Sequence, residues 1–557
     1  MNDTTANRSF LFWTCFIALV TTAFAFMLRI QLMPEWEKAF MLDKTEMGTI
    51  FGAGLWPFGV SIVLFSLVID RIGYGKALGF AFFCFVIFAG LTIFADGFKM
   101  LYWGSVAGAL GAGAVEAAIN PLIATAYAEQ KTKWLNILHA GWPGGLVVTG
   151  IVVLVIADAL SWQLKIALIL VPAIVFALMM LRLKFPTSER VMAGVSYRAM
   201  LKEVGWAGAF IVALMIVMEL TANVLGISQL QNFTAQVCIA AGIAAIYGIY
   251  ITDEDGEGLD AILRSFGRPM YVFLLLVMLL LATTELGTDA WVKDLLKPVM
   301  ESSIGIDSGW ILVYTAAIMM TLRFCCGPLI AVFKPLGTLA ISAALAAVGI
   351  YWLSYVSDSD VTASATIIII AATIYGVGQT FFWPTTLGFV SEQFPRGGAM
   401  TINIIAGVGM LGVGVLGGAW LGNVQDRAIV ATLQEQAPAI SRQYITDTKQ
   451  SLFGSYNALA PDAKEMAAEH MFEMEYTIMV RTLGGERNTK TKTKKISALS
   501  VIEIAEREGK SAALHEVAIL PVIMFSCYIG LMLYFRSRGG YKPVVLETEP
   551  GHRKQAG

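Results

Sequence analysis

Apolar and polar residues fall along this chain in long alternating blocks. Runs of about twenty apolar residues, the length an α-helix needs to cross a bilayer, recur fourteen times. The first six are Phe10–Ile30, Thr45–Ile69, Ala77–Ala95, Leu101–Tyr127, Ile137–Ala157 and Leu164–Leu183. A polar linker, Lys184–Gly205, leads to two more, Trp206–Gly226 and Phe233–Ile251. After the acidic Thr252–Asp260 the runs resume at Met270–Trp291, Trp310–Phe333, Leu336–Val356, Ala363–Val390 and Ala399–Gly422. A long polar segment, 423–514, precedes the last run, Val517–Phe535.

The pattern predicts an all-α polytopic membrane protein of fourteen spans, grouped six, two, six. Residues 1–183 would form an N-terminal six-helix bundle and 184–267 a linker with two extra helices. Residues 268–422 with 515–540 would form the C-terminal bundle, interrupted by an extracytoplasmic, mostly helical insertion at 423–514. Within it Asp426–Gln436 and Asp462–Met474 read as helices, followed by the basic stretch Arg487–Lys495.

Composition agrees: 57% of residues are hydrophobic and 14% charged, and the mean hydropathy of +0.69 excludes a soluble globule. A net charge of −2 offers no basic field for nucleic acid. The six cysteines lie in apolar spans without zinc or disulfide spacing. No nucleophile–base pair or metal-ligand cluster is evident, so neither an enzyme nor a cofactor is expected. Met1–Ser9 is short and polar and runs directly into a long apolar span, whereas a cleavable leader needs a shorter apolar core and an A-x-A-like site, so the first span is read as retained. Starting the chain inside puts Arg71, Lys76, Lys131, Lys133, Arg182 and Lys184 on the cytoplasmic side, and the opposite short loops carry few basic residues. Both termini are therefore expected in the cytoplasm, at a plasma or bacterial inner membrane.

The candidate chemistry centres on the fourth and fifth spans. A carboxylate inside a span costs roughly 3 kcal/mol on insertion scales and is normally kept for a purpose. Glu116 and Asn120, four apart, share one helix face. Asn136, His139 and Trp142 recur every three residues on the next helix. Either the two stripes face a shared water-filled cavity, or Glu116 and His139 form a buried, satisfied pair.

Two six-helix halves describe one large class of secondary transporters, and the motifs support it. Asp70-Arg71-Ile-Gly-Tyr-Gly-Lys76 resembles the cytoplasmic signature loop of the major facilitator superfamily. Its Asp and basic groups are suited to pairing with helix ends and holding one conformation closed. The second-half equivalent, Gly327–Lys334, lacks the Asp. Glu116-Ala-Ala-Ile-Asn120-Pro121 followed by Leu135-Asn136-Ile-Leu-His139 resembles the fourth and fifth helices of the fucose:proton symporter family. Thr284-Glu285 through Trp291 is similar to that family's seventh core helix, Arg323-Phe-Cys-Cys-Gly327 to its eighth, and Trp383-Pro384-Thr385 to its tenth. There the glutamate at the Glu116 position and polar residues of the fifth helix lie in the sugar cavity. This chain departs from the family in three ways. Ile30, beside Arg29, stands where the family has a first-helix Asp; His139 replaces an amide; and the two extra spans and the insertion have no counterpart.

The resemblance implies a secondary active transporter of a small polar solute, a sugar or sugar derivative, working by alternating access with the proton as coupling ion. A transporter-like sensor, or a facilitator of an organic anion such as a sugar acid, is the alternative, and the chain is expected to act as a monomer. Glu116, Asn120, Asn136, His139, Trp142, Gln379 and Trp383 are the candidate solute contacts, and Glu116 with Glu285 the candidate proton carriers. Asp70, Arg71, Lys76, Arg29 and Arg323 are candidates for gating or ion pairing. Arg29 either snorkels to the interface or points inward, where its guanidinium would grip a carboxylate. Asp289 is either a second gate site or a solvated helix end, and Trp291 either stacks on a ring or marks the interface. Gly-rich runs such as Gly407–Gly418 sit mid-membrane and suit close helix packing. The extra pair carries Glu219 and Asn223 on one face, with a peripheral hairpin as the default reading.

Overall fold

A computed structural model describes residues 2–42, 44–155, 159–221, 224, 232–252, 263–288, 309–355, 361–445, 447–451, 454–460, 462–468, 470–481 and 487–546. Asn223, Asp289 and Trp291 lie outside the described residues. Among the described residues, thirteen helices are long and apolar enough to cross a membrane, and Gly309–Phe324 is a shorter apolar one. In chain order they are α1 (Asn7–Phe40), α2 (Glu46–Ile72), α3 (Tyr74–Ile93), α4 (Phe98–Ala126), α5 (Ala128–Val155) and α6 (Trp162–Met180), then α7 (Tyr197–Leu220) and α8 (Phe233–Ile251). They continue as α9 (Pro269–Gly287), α10 (Gly309–Phe324), α11 (Cys326–Tyr355), α12 (Thr366–Gln393), α13 (Pro395–Gln436) and α14 (Ala498–Ser537).

The two halves meet where glycines let backbones approach. A Cβ on Gly59 of α2 would lie 2.6 Å from Leu411 of α13, and one on Gly407 2.8 Å from Ile62. Gly150 of α5 leaves room for Val313 of α10 in the same way, at 2.6 Å. These small-residue contacts substitute for the hydrophobic drive that lipid does not supply.

Helix α7 stands against both halves, whereas α8 packs on α7 and turns most of its surface outward. The foot of α7 is bolted to the start of α9. Gly205 adopts φ +68°, and any Cβ there would collide with the backbone of Phe266 and Gly267. The backbone amides of Trp206 and Ala207 donate to the carbonyls of Ser265 and Phe266, at 3.0 and 3.3 Å. Glu203 pairs with Arg268 at 3.2 Å. The extra pair is thus peripheral only for α8.

The insertion departs from the mostly helical expectation. Helix α13 runs on beyond Gly422 to Gln436, and α14 begins at Ala498 rather than Val517, so the two long helices carry the insertion between them. A second, small core of Ile429, Leu433, Ile440, Tyr444 and Ile502 forms on these extensions. Two antiparallel hairpins complete it: β1 (Asp447–Ser451) with β2 (Gly454–Ala458), and β3 (Met471–Arg481) with β4 (Arg487–Ser497). Over 462–474 only Ala463–Ala467 is helical before β3 begins. The reason is legible afterwards: Thr489-Lys490-Thr491-Lys492-Thr493-Lys494 alternates with a period of two, and Thr favours strand.

Candidate solute cavity and its seal

A cavity of about 500 Å³ lies between the two halves. It reaches the end of the bundle opposite the termini, where Gly48, Gly287, Gly422 and Gln425 border its mouth. Glu116, His139, Trp142, Glu285, Arg323 and Trp383 all line it. Three other candidate contacts do not line it. Asn120 stands one step behind the wall, Asn136 lies below the floor, and Gln379 packs on Met319, its Nε2 3.7 Å from the sulfur.

Behind the wall runs a short hydrogen-bond chain. His139 Nε2 donates to Asn120 Oδ1 at 2.9 Å, and Asn120 Nδ2 donates to Glu116 Oε2 at 2.6 Å. Since an amide oxygen only accepts, the imidazole carries its proton on Nε2. His139 Nε2 is itself 3.9 Å from Glu116 Oε2. Glu116 is 3% exposed, so its only water is that of the cavity.

Prolines explain why the polar contacts sit where they do. A proline inside a helix has no N–H, so the carbonyl four residues earlier loses its partner. Pro143 leaves the His139 carbonyl free, and Pro384 leaves that of Thr380. Arg323 of α10 takes both, donating from Nη1 to His139 at 2.8 Å and from Nε to Thr380 at 2.7 Å. Pro121 likewise frees the Ala117 carbonyl, which Asn403 of α13 takes at 2.9 Å. The carbonyl of Ser391, in the last turn of α12 where helical partners run out, is taken by Lys131 at 3.3 Å. Three of these four bonds join one half to the other. The remaining face of Arg323 meets Glu285 at 3.4 Å, where α9 widens into a π-turn at Thr283–Gly287. Such turns gather at functional sites, and a second one, Val413–Gly417, faces it from α13.

The end that carries the termini is shut. Asn136 Nδ2 donates to Thr385 Oγ1 across the halves at 3.1 Å, which is why Asn136 is a seal and not a wall residue in this conformation. A Cβ on Gly388 would lie 2.6 Å from Thr132 Cα, so α12 and the start of α5 touch through backbone. Beneath them is a latch. Thr132 donates from N and Oγ1 to Glu392 Oε1, at 3.1 and 2.5 Å. Tyr541, beyond the last span, donates to Glu392 Oε2 at 2.5 Å. Burial first, and the Glu392 carboxylate second, hold that phenol well above its ordinary pKa, so it stays a donor. The linker closes the ring: Glu189 pairs with Lys131 at 2.5 Å and Arg190 with Asp70 at 2.6 Å. A pocket of about 20 Å³ remains at this end, too small for a solute.

The remaining gating candidates fall away from the cavity. Asp70 is tied to the linker, Arg71 lies over the Tyr197 ring at 4.7 Å, and Lys76 is exposed. Arg29 is buried and neither snorkels nor, among the described residues, forms an ion pair. Its guanidinium fills the space a side chain at Gly54 would need, in the break of α2. Sequence reasoning did not single out Lys131, Glu189, Arg190, Glu392 and Asn403, although the proline spacing marks the carbonyl that Asn403 takes.

Comparison with known proteins agrees with this geometry. The family model described as Major Facilitator Superfamily matches residues 14–419. The "Hexuronate transporter" of Bacillus subtilis (strain 168) is 27% identical over 139 residues, which is 25% of this chain and 33% of that protein. The chain therefore spans about a third of the length of the curated relative it matches. Among solved structures, the proton:xylose symporter XylE bound to 6-bromo-6-deoxy-D-glucose superposes with a TM-score of 0.54 at 14% identity, covering 75% of this chain and 88% of that one. A variant of the E. coli fucose:proton symporter FucP gives a TM-score of 0.46 at 15% identity, covering 74% and 90%.

Proposed function

The chain belongs to the Major Facilitator Superfamily, and from that premise we propose that it is a proton-coupled symporter of a sugar or sugar derivative, working by alternating access. One observation carries the reading: the Glu116–Asn120–His139 chain ends on a cavity between two halves that is open at one end and latched at the other. Glu116 is the group that takes up and releases the proton. Trp142 and Trp383 offer faces to a sugar ring. When solute and proton are bound, the cross-half bonds of Asn136, Asn403 and Lys131 break and the opposite end closes. The termini and the latch lie on the cytoplasmic side of the plasma or bacterial inner membrane, supported by the basic loops there. One chain encloses the whole route, which supports a working monomer.

A sugar acid is the second reading, favoured by the guanidinium of Arg323 on the cavity wall and by the hexuronate transporter among its relatives. The coupling test is Glu116→Gln in proteoliposomes. Uphill uptake driven by a pH gradient should vanish while exchange down a solute gradient persists. Unchanged uphill uptake would remove Glu116 from the mechanism.

A further inference from the structure

The cavity changes character along its length. At a helical rise of about 1.5 Å per residue, Glu116, His139 and Trp383 stand about 15 Å from the terminal ends of α4, α5 and α12. Arg323 joins them through its bond to the His139 carbonyl. Glu285 leans toward Arg323, because helical side chains tilt toward the start of their helix. By the same count, Phe26, Phe51, Leu55, Leu286, Val413 and Leu421 stand about 25–40 Å from the terminal ends of α1, α2, α9 and α13. The polar groups thus gather at the floor, and an apolar collar drawn from both halves surrounds the mouth.

The collar is preformed and roomy. Phe26 packs on Trp142 with ring centroids 5.3 Å apart, and the Arg29 guanidinium carbon lies 5.7 Å from the Phe26 ring centre. An aromatic surface therefore runs from the level of Trp142 up into the collar. Gly48 and Gly52, one turn apart on α2, would each carry a Cβ with nothing within 4 Å, so this level holds open space and not packed side chains. Among the described residues, Glu219 and Gln425 are the polar side chains lining it, and Glu219 already has a partner. A free hexose occupies roughly 200 Å³ at the packing density of a protein interior, under half of the cavity's 500 Å³. Seated on the floor, it leaves the collar facing water. Hydroxyls drawn up into the collar would lose water and regain few hydrogen bonds.

Resting on the transport reading above, we propose that the solute is amphipathic: a sugar or sugar acid carrying an apolar, ring-sized substituent. Its polar head docks at the floor and the substituent fills the collar. Phe51, Leu55 and Leu421 are specificity-determining residues for that substituent, which they hold by burial and not by hydrogen bonds.

Matched methyl and phenyl glycosides test this: the β-D-glucosides, the β-D-galactosides and the β-D-glucuronides. Binding to the purified full chain is measured by calorimetry in lipid nanodiscs, without alkyl-glycoside detergent, which would itself occupy the collar. Empty nanodiscs give the blank for partition into lipid. At least one phenyl compound should bind about tenfold more tightly than its methyl partner, the yield of burying about 60 Å² of apolar surface. Phe51→Ala and Leu421→Ala each remove part of that surface and should each lower the phenyl-to-methyl ratio about threefold or more. The ratio compares two solutes on one protein, so a loss of folded material does not mimic the effect. If the methyl compounds bind and no phenyl partner gains, or if neither substitution moves the ratio, the inference falls and the transport reading stands. If no compound of either kind binds, both fall.

Discussion

Arg323 gives the sharpest energetic test of the site, because one side chain serves three acceptors on different elements. It is 1% exposed and bonds the carbonyls of His139 and Thr380 and the carboxylate of Glu285. Arg323→Met keeps most of the volume and removes all three donors. Stranding a buried carboxylate costs about 3–5 kcal/mol. Glu285 borders the cavity, so the lower value, about 3 kcal/mol, applies. Each freed carbonyl adds about 1 kcal/mol, the low end of the desolvation penalty, because Pro143 and Pro384 cannot offer the helical N–H instead. The single substitution should therefore destabilise by about 5 kcal/mol, measured by unfolding in mixed SDS micelles. Adding Glu285→Leu removes the stranded charge, so the double variant should recover about 3 kcal/mol and leave only the carbonyl cost. If the two substitutions destabilise additively, Glu285 is not the group Arg323 neutralises and the reasoning fails. If Arg323→Met costs under about 1 kcal/mol, the proline-freed carbonyls are satisfied by water and the bridge between the halves is not a stabilising one.

Other outcomes follow from the latch and the backbone contacts. Glu392→Ala removes the acceptor shared by Thr132 and Tyr541, so a cysteine placed at Thr385 in a cysteine-free background should be alkylated several-fold faster from the terminal side; an unchanged rate would mean the latch does not hold that end shut. Gly388→Leu forces α12 away from Thr132 and should populate the conformation open at the terminal end, read as longer spin-label distances there and shorter ones at the cavity mouth. Gly205→Ala places a Cβ at φ +68° against the Phe266–Gly267 backbone, a strain of about 1–3 kcal/mol that should lower the melting temperature in detergent, whereas Gly194→Ala, at φ +71° with open space around it, should lower it less.

The prolines show how far local reading goes. Each proline inside a helix announces in the sequence that the carbonyl four residues before it will need a new donor, and three such carbonyls are found paired. The sequence does not announce which side chain arrives. Asn403 reaches Ala117 from 286 residues away and Lys131 reaches Ser391 from 260. Asn136 illustrates the opposite limit: its helix face is legible, but whether that face meets solute or Thr385 depends on which end of the bundle is closed.

Hydropathy alone marked the apolar helices and the polar positions Glu116 and His139 within them, because a bilayer penalises unpaired polarity residue by residue. Tertiary structure alone decided that α7 enters the cavity wall with Glu219, that the insertion folds hairpins on two helix extensions, and that Glu392 is held from both sides. Those outcomes rest on contacts between elements far apart in the chain, whose free energies no local pattern encodes.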